Sequence, residues 1–227
     1  MRQIVIDTET TGIETSQGHR IVEIGCVELI DRKKTDNNFH CYINPERTMD
    51  AEVIAVHGLT NEFLLGKPVF SDILNDFLKF IDQAELIAHN ATFDIGFLNH
   101  EIRLVNKDAR LIDTYAANVI NTLPLARKMF PGQRNSLDAL CKRYKIDLSS
   151  RKLHGALLDA QLLAEVYLLM TGGQVSLFDT DELSLAQNTS KKINKKIDAN
   201  RPTLPIIYAS IEEIAEHEGI LTKINNK

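Results

Sequence analysis

Four acidic side chains within the first 160 residues sit on or beside apolar segments. Asp7 and Glu9 follow directly on Ile4-Val5-Ile6, Asp94 closes His89-Asn90-Ala91-Thr92-Phe93-Asp94, and Asp159 lies in Ala156-Leu157-Leu158-Asp159-Ala160. A carboxylate in apolar surroundings is costly unless it meets a cation or a donor. Four of them converging without positive charge would repel one another. The chain is therefore constrained to a fold that gathers these acids and supplies a cation, of which metal is the simplest.

The patterns around the acids point to the fold class. Ile4-Val5-Ile6 reads as a buried strand with Asp7 and Glu9 at its C-terminal end, and residues 21–30, rich in β-branched side chains, as a second. Asp31-Arg32-Lys33-Lys34 reads as a polar turn into a third strand around 39–43. Such short connections favour an antiparallel meander. Helical periodicity follows near 71–81, 93–105, 136–144 and 156–170, alternating with short apolar strands at 85–88 and 111–113. A meander followed by strand–helix alternation implies an α/β domain over residues 1–173, with a mixed five-stranded sheet flanked by helices.

At 227 residues and 44% hydrophobic composition, the chain can bury one core and leave a tail. Its net charge of -5 argues against holding long nucleic acid by electrostatics alone, so a partner or a short local groove must supply the grip. Cys26, Cys41 and Cys141 form no CxxC pair and read as buried free thiols of a reducing compartment. No basic-then-apolar leader precedes Ile4 and no apolar run approaches bilayer length, so a soluble cytoplasmic protein is expected.

In a strand, residues two apart share a face, so Asp7 and Glu9 project together. Thr10-Thr11-Gly12 turns the chain away and leaves them at the sheet edge. A strand that merely ends in polar residues fits the same motif. Asp94 at a helix opening also fits an acid placed on the helix dipole. Beside it, Asn90 and Phe93 offer an amide and an aromatic ring suited to a nucleotide. His154 and Asp159 on one helix would face about 140° apart, at 100° per residue. Both reach one site only if His154 lies in the loop before the helix, which Gly155 makes easy. Position 154 also fits a solvated histidine, whereas an unpaired acid at 159 beside an apolar helix face gains little. A histidine titrates near neutral pH and can accept a proton from a metal-bound water.

Asp7-Thr8-Glu9-Thr10-Thr11-Gly12, His89…Asp94 and His154…Asp159 occur in the order and spacing of the DEDDh 3′–5′ exonuclease family, whose "h" is the histidine at 154. Val56-His57-Gly58-Leu59-Thr60 and Arg134-Asn135-Ser136-Leu137-Asp138-Ala139-Leu140-Cys141 also resemble its proofreading members, over residues 1 to 172. The resemblance implies a ribonuclease H-like fold, two divalent ions (Mg or Mn) and removal of nucleotides from DNA 3′ ends. Asp7 would ligate both ions, Glu9 and Asp159 would complete the catalytic one, Asp94 would hold the second, and His154 would be the general base. One ion would lower the pKa of the attacking water and the other stabilise the leaving 3′-oxygen, about 3.5–4 Å away. Glu52 and His57 match positions that contact the terminal nucleotide, alongside Asp7, Glu9, Asn90, Phe93 and Asp159. Two other readings stay open: a free-standing exoribonuclease, and a non-catalytic scaffold that only binds a polymerase. The first needs no long tail, and the second predicts a lost ligand where all five positions are filled.

Composition shifts after Thr171-Gly172-Gly173. Residues 174–178, Gln174-Val175-Ser176-Leu177-Phe178, resemble the peptide by which bacterial replication proteins bind the sliding clamp, with Gln174, Leu177 and Phe178 as anchors. Leu177 and Phe178 packing back on the last helix is the plainer alternative. Residues 179–204 are too polar to offset their ordering entropy and read as a flexible linker. Within it, Lys191-Lys192 and Lys195-Lys196 read as solvated rather than phosphate-bound. In 205–227, Ser210 and Glu213 have capping-box spacing and Gly219 suits a C-cap, giving one short helix without a core. This tail resembles the segment that ties proofreading exonucleases to the polymerase alpha subunit. A small accessory subunit on the nuclease domain is left open.

Overall fold

In the computed structural model, which describes residues 1–149, 153–172 and 210–225, the sheet is built from β1 (Arg2–Thr10), β2 (Ile21–Ile30), β3 (Lys33–Tyr42), β4 (Glu85–Ala88) and β5 (Asn118–Asn121). Their spatial order is β3-β2-β1-β4-β5, with β1–β2–β3 an antiparallel meander and β1–β4–β5 parallel. Ile4 and Ile6 pack with Phe77 and Ile81 of α3 (Phe70–Ile81) and Phe97 and Leu98 of α4 (Ala91–Val105). Val5, on the opposite face, packs with Ala160, Leu163 and Ala164 of α8 (Ala156–Gly172). A strand covered on both faces reads as an unbroken apolar run, which is why Ile4-Val5-Ile6 shows no alternation.

Several expectations need correction. Residues 111–113 form no strand. Ile112 is buried and opens the single-turn helix α5 (Ile112–Tyr115), its N–H donating to Asn99 Oδ1 at 2.9 Å. The fifth strand is Asn118–Asn121, an exposed residue and three half-buried ones bracketed by asparagines, a pattern too weak to read as a strand. The third strand starts at Lys33, because the turn is only Asp31-Arg32, with φ of 47° and 65°. Two positive-φ residues match the twist of a hairpin. As a sheet-edge strand, β3 tolerates the polar stretch that follows. Cys26 and Cys141 are buried as expected, whereas Cys41 on this strand is only half-buried.

Among the described residues the short helices α1 (Ala51–His57), α2 (Asn61–Leu65) and α6 (Thr122–Met129) also escape sequence reading, none being longer than 8 residues. α7 (Leu137–Tyr144) packs on α8 through Leu140 and Cys141 against Leu162, Val166 and Met170. Lying between the sheet and α7, α8 is apolar on nearly all sides. Its first turn sits tightly on β2: a Cβ on Gly25 would overlap the backbone of Ala156 and Leu157.

The chain divides into two compact units, Met1–Ser176 and Leu177–Lys227. Within the second, α9 (Ile211–Asn225) starts with a reciprocal capping box: Ser210 N–H donates to Glu213 Oε2 at 2.8 Å and Glu213 N–H to Ser210 Oγ at 3.2 Å. The helix runs through Gly219 rather than ending there, since a glycine can remain helical at modest cost. The clamp-like residues Gln174, Leu177 and Phe178 and the linker 179–204 lie outside the described residues. No described helix is long and apolar enough to cross a membrane.

Candidate active site

Pairing between β1 and β4 stops at Val5–Ile87, while β1 continues to Thr10 along β2. The acids at the expected sheet edge thus belong to the central strand, at the end where it outlasts its parallel neighbour. A cleft of about 210 Å³ opens there, lined by Asp7, Thr8, Glu9, His89, Asn90, Phe93, Asp94, Leu137, His154 and Asp159. The alternation of β1 sends Asp7 and Glu9 to the α8 side and Thr8 to the α4 side.

Asp94 lies in the first turn of α4 and is 3% exposed. Thr8 Oγ donates to its Oδ1 at 2.8 Å. Burial pushes the Asp94 carboxyl up to about 7, against the lowering effect of hydrogen bonds from Thr8 and from backbone N–H groups. Asn90 caps α4 in the left-handed region, φ 69°, and its N–H donates to Asn121 Oδ1 at 3.1 Å. His89 is fixed at both ring nitrogens, with Nε2 donating to the Asn135 carbonyl at 2.8 Å and Nδ1 2.9 Å from Thr122 Oγ1.

On the opposite wall, His154 lies in the loop before α8, its N–H donating to the Val56 carbonyl at 3.1 Å. Its Nδ1 is 3.2 Å from Asp159 Oδ2, with the histidine side chain 47% exposed and the aspartate 4%. Glu9, His154 and Asp159 each place one ligand atom within 4.8 Å of the others, a group able to hold a metal ion. Asp7 and Asp94 line the same cleft outside that tight trio.

Residues 4–167 match the family model RNase_T, described as exonuclease. The chain belongs to the exonuclease family. DNA polymerase III subunit epsilon of Salmonella typhimurium is 51% identical to it over 230 residues, covering 100% of this chain and 94% of the relative. Exonuclease X, solved in complex with 5′ overhanging duplex DNA, aligns with a TM-score of 0.58 at 28% identity, over 76% of this chain and 92% of its own. The nuclease domain of 3′hExo, a DEDDh family member bound to rAMP, aligns with a TM-score of 0.65 at 19% identity, over 76% and 92%. That last likeness is one of fold, the ribonuclease H-like arrangement expected from the motifs.

Two residues expected in the exonuclease site stand outside the cleft walls. Glu52 is exposed in the first turn of α1, and His57, at its end, is buried. His57 Nδ1 accepts from Leu59 N–H at 3.0 Å, while its buried Nε2 has no hydrogen-bond partner among the described residues. Burial holds the His57 pKa below its ordinary value, and the nearby His154 lowers it further against the raising effect of Glu23. Glu23 itself was not anticipated. It sits directly opposite Glu9 in the β1–β2 ladder, where like charges repel. It is 3% exposed and bonds His40 Nε2 at 2.7 Å, giving its charge a partner on β3. Thr8, within the Asp7–Glu9 motif, had a readable position but no readable partner.

Proposed function

We propose that this chain is the 3′–5′ proofreading exonuclease of DNA polymerase III, removing mismatched nucleotides from DNA 3′ ends by metal-dependent hydrolysis with His154 as general base. The observation that carries the reading is the convergence of Asp7, Glu9, Asp94, His154 and Asp159 on one cleft at the end of β1. A full-length relative named DNA polymerase III subunit epsilon supports it.

The donor set fits two hard divalent ions, Mg or Mn, because carboxylate oxygens dominate it. Asp94, a buried carboxyl lifted to about 7, is a group short of positive charge. Asp7, Glu9 and Asp159 would hold one ion, and Asp7 with Asp94 the other. Bound there, the ions supply an acidified water and neutralise charge on the phosphate and the leaving 3′-oxygen. With Nδ1–H of His154 directed at Asp159, Nε2 is the atom that takes the water's proton. The exposure of the ring lets that proton pass to solvent. Phe93 and Asn90 offer a stacking face and an amide to the terminal base, and Glu52 and His57 are assigned to the same nucleotide from the α1 side. Mismatched ends unpair more readily, so the cost of melting contributes selectivity before any base is read.

The tail fixes where this chemistry occurs. Residues 205–227 would dock on the polymerase alpha subunit through α9, which leaves Ile211 87% exposed and Ile214 49% exposed. Residues 174–178 would bind the sliding clamp, and the assembly would work in the bacterial cytosol as part of the replisome.

Asp7→Ala with Glu9→Ala, assayed with Mg or Mn, should abolish cleavage; surviving activity would refute the metal mechanism. Rates on single-stranded DNA and RNA of equal length separate this reading from an exoribonuclease. Deleting the chain after Arg201 should remove polymerase binding and spare cleavage of single strands. Replacing Gln174, Leu177 and Phe178 with Ala should weaken clamp affinity.

A further inference from the structure

Between Thr122 and Lys145 the sequence carries six cations and a single acid, Asp138, in a chain whose net charge is -5. This is the α6–α7 hairpin, and it forms one wall of the cleft. Leu137 lines the cleft directly. Asn121, the N-cap of α6, accepts from the N–H groups of both Leu123 and the cleft residue Asn90, at 3.2 and 3.1 Å. Asn135 accepts from the cleft residue His89.

The cations are not equivalent. Arg143 is spent internally: it stacks 4.1 Å over Phe130 and donates to Asn135 Oδ1, Gln133 Oε1 and the Arg134 carbonyl, at 3.2, 2.9 and 3.0 Å. Asn135 Nδ2 adds bonds to the carbonyls of Phe130 and Gln133, at 3.1 and 3.0 Å. The 130–135 loop is therefore pinned, and Arg134 is presented from a fixed backbone. Arg127, Lys128, Arg134, Lys142 and Lys145 are exposed, and the ion pairs among the described residues lie elsewhere. Burial lowers the His89 pKa and the Arg127 charge lowers it further, so Arg127 is felt at the cleft wall. Two other segments near the cleft carry acids. Glu14 stands beside Ile13 after β1, and α1, which receives the His154 N–H, opens with Asp50 and Glu52.

We propose that Arg127, Lys128, Arg134, Lys142 and Lys145 form a phosphate track that carries the strand upstream of its 3′-terminal nucleotide away from the cleft. It rests on the exonuclease reading and explains how an acidic chain grips a polyanion: one hairpin on the cleft wall concentrates six of its cations against a single acid. The recognition is of backbone phosphates, without base readout.

The test uses the full chain with Arg127→Gln and Arg134→Gln combined, two exposed side chains whose loss disturbs no packing. Cleavage of a single-stranded DNA 12-mer is compared with that of the p-nitrophenyl ester of thymidine 5′-monophosphate, which has no upstream phosphate. The ratio of kcat/KM on the 12-mer to that on the ester should fall. The slope of log kcat/KM against log salt on the 12-mer should shrink by about 1.4, at about 0.7 per phosphate contact on single strands. Lys107→Gln, an exposed charge on another part of the surface, should leave the slope unchanged. A double variant with the wild-type slope and ratio overturns the track and leaves the hairpin to an acidic protein partner. Wild-type protein that cleaves neither substrate overturns the exonuclease reading itself, and the track with it.

Discussion

Gly25 and Leu157 meet where no side chain would fit between them: a Cβ on the glycine would overlap the backbone of α8's first turn. Gly25 is also the ladder partner of Asp7. The same bare patch of β2 thus stands opposite one carboxylate of the cleft and seats the helix that brings Asp159, with His154 just ahead of it.

Gly25→Ala should push α8 off the sheet. Overpacking of this kind costs about 1–3 kcal/mol, and a displacement near 1 Å at reacting groups can cost about 100-fold in rate. Urea melts and kcat on single-stranded DNA measure the two. Wild-type kcat at reduced stability would show that the close approach serves packing alone.

Asp94 makes the metal-free protein sensitive to pH. The unfolded chain releases this proton near 3.8, whereas the folded chain holds it to about 7. Between those values the folded state binds more protons, so the contribution is fully present below 3.8 and is lost as pH rises through 7. Melting temperature in EDTA should fall between about pH 5 and 7.5, and magnesium should restore more at the upper end. Asp94→Asn, which can still accept from Thr8, should flatten the EDTA profile.

Thr8→Val removes the side-chain donor that favours the ionised form of Asp94. A hydrogen bond to a charged group is worth about 1.5–3 kcal/mol. The carboxyl should then hold its proton to still higher pH, and magnesium protection, followed by thermal melts, should begin at a higher pH than in wild type. Coincident profiles would mean that the backbone donors suffice.

Arg20 and Glu101 clamp the start of β2 to α4. Arg20 Nε and Nη2 each lie 2.8 Å from a Glu101 oxygen, and Ile21 N–H donates to the same carboxylate at 3.0 Å. With Glu101 1% exposed, Arg20→Ala strands a buried charge and should cost about 3–5 kcal/mol in urea melts. Arg20→Met combined with Glu101→Gln should recover part of that loss, because the pair carries no buried charge and the Gln amide oxygen can still accept from Ile21 N–H.

What the sequence determined by itself was local. The apolar run Ile4-Val5-Ile6, the Asp7–Glu9 alternation, the helix carrying Asp94 and the break at Gly155 before α8 all depend on neighbours within a few positions, and each was legible. So was the Ser210–Glu213 capping box. The rest depended on partners distant in the chain. Thr8 meets Asp94 across 86 residues, and Glu23, opposite Glu9, finds a partner in His40 brought to it by β3. The strand at Asn118–Asn121 exists because β4 offers a parallel edge, while Leu111 and Ile112 looked more strand-like. The tertiary structure also decided the place of the positive charge: a net charge of -5 says nothing of a cationic hairpin, its loop pinned by Arg143, that forms a wall of the cleft. Periodicity reports burial along one segment, and burial does not say which segment lies on the other side.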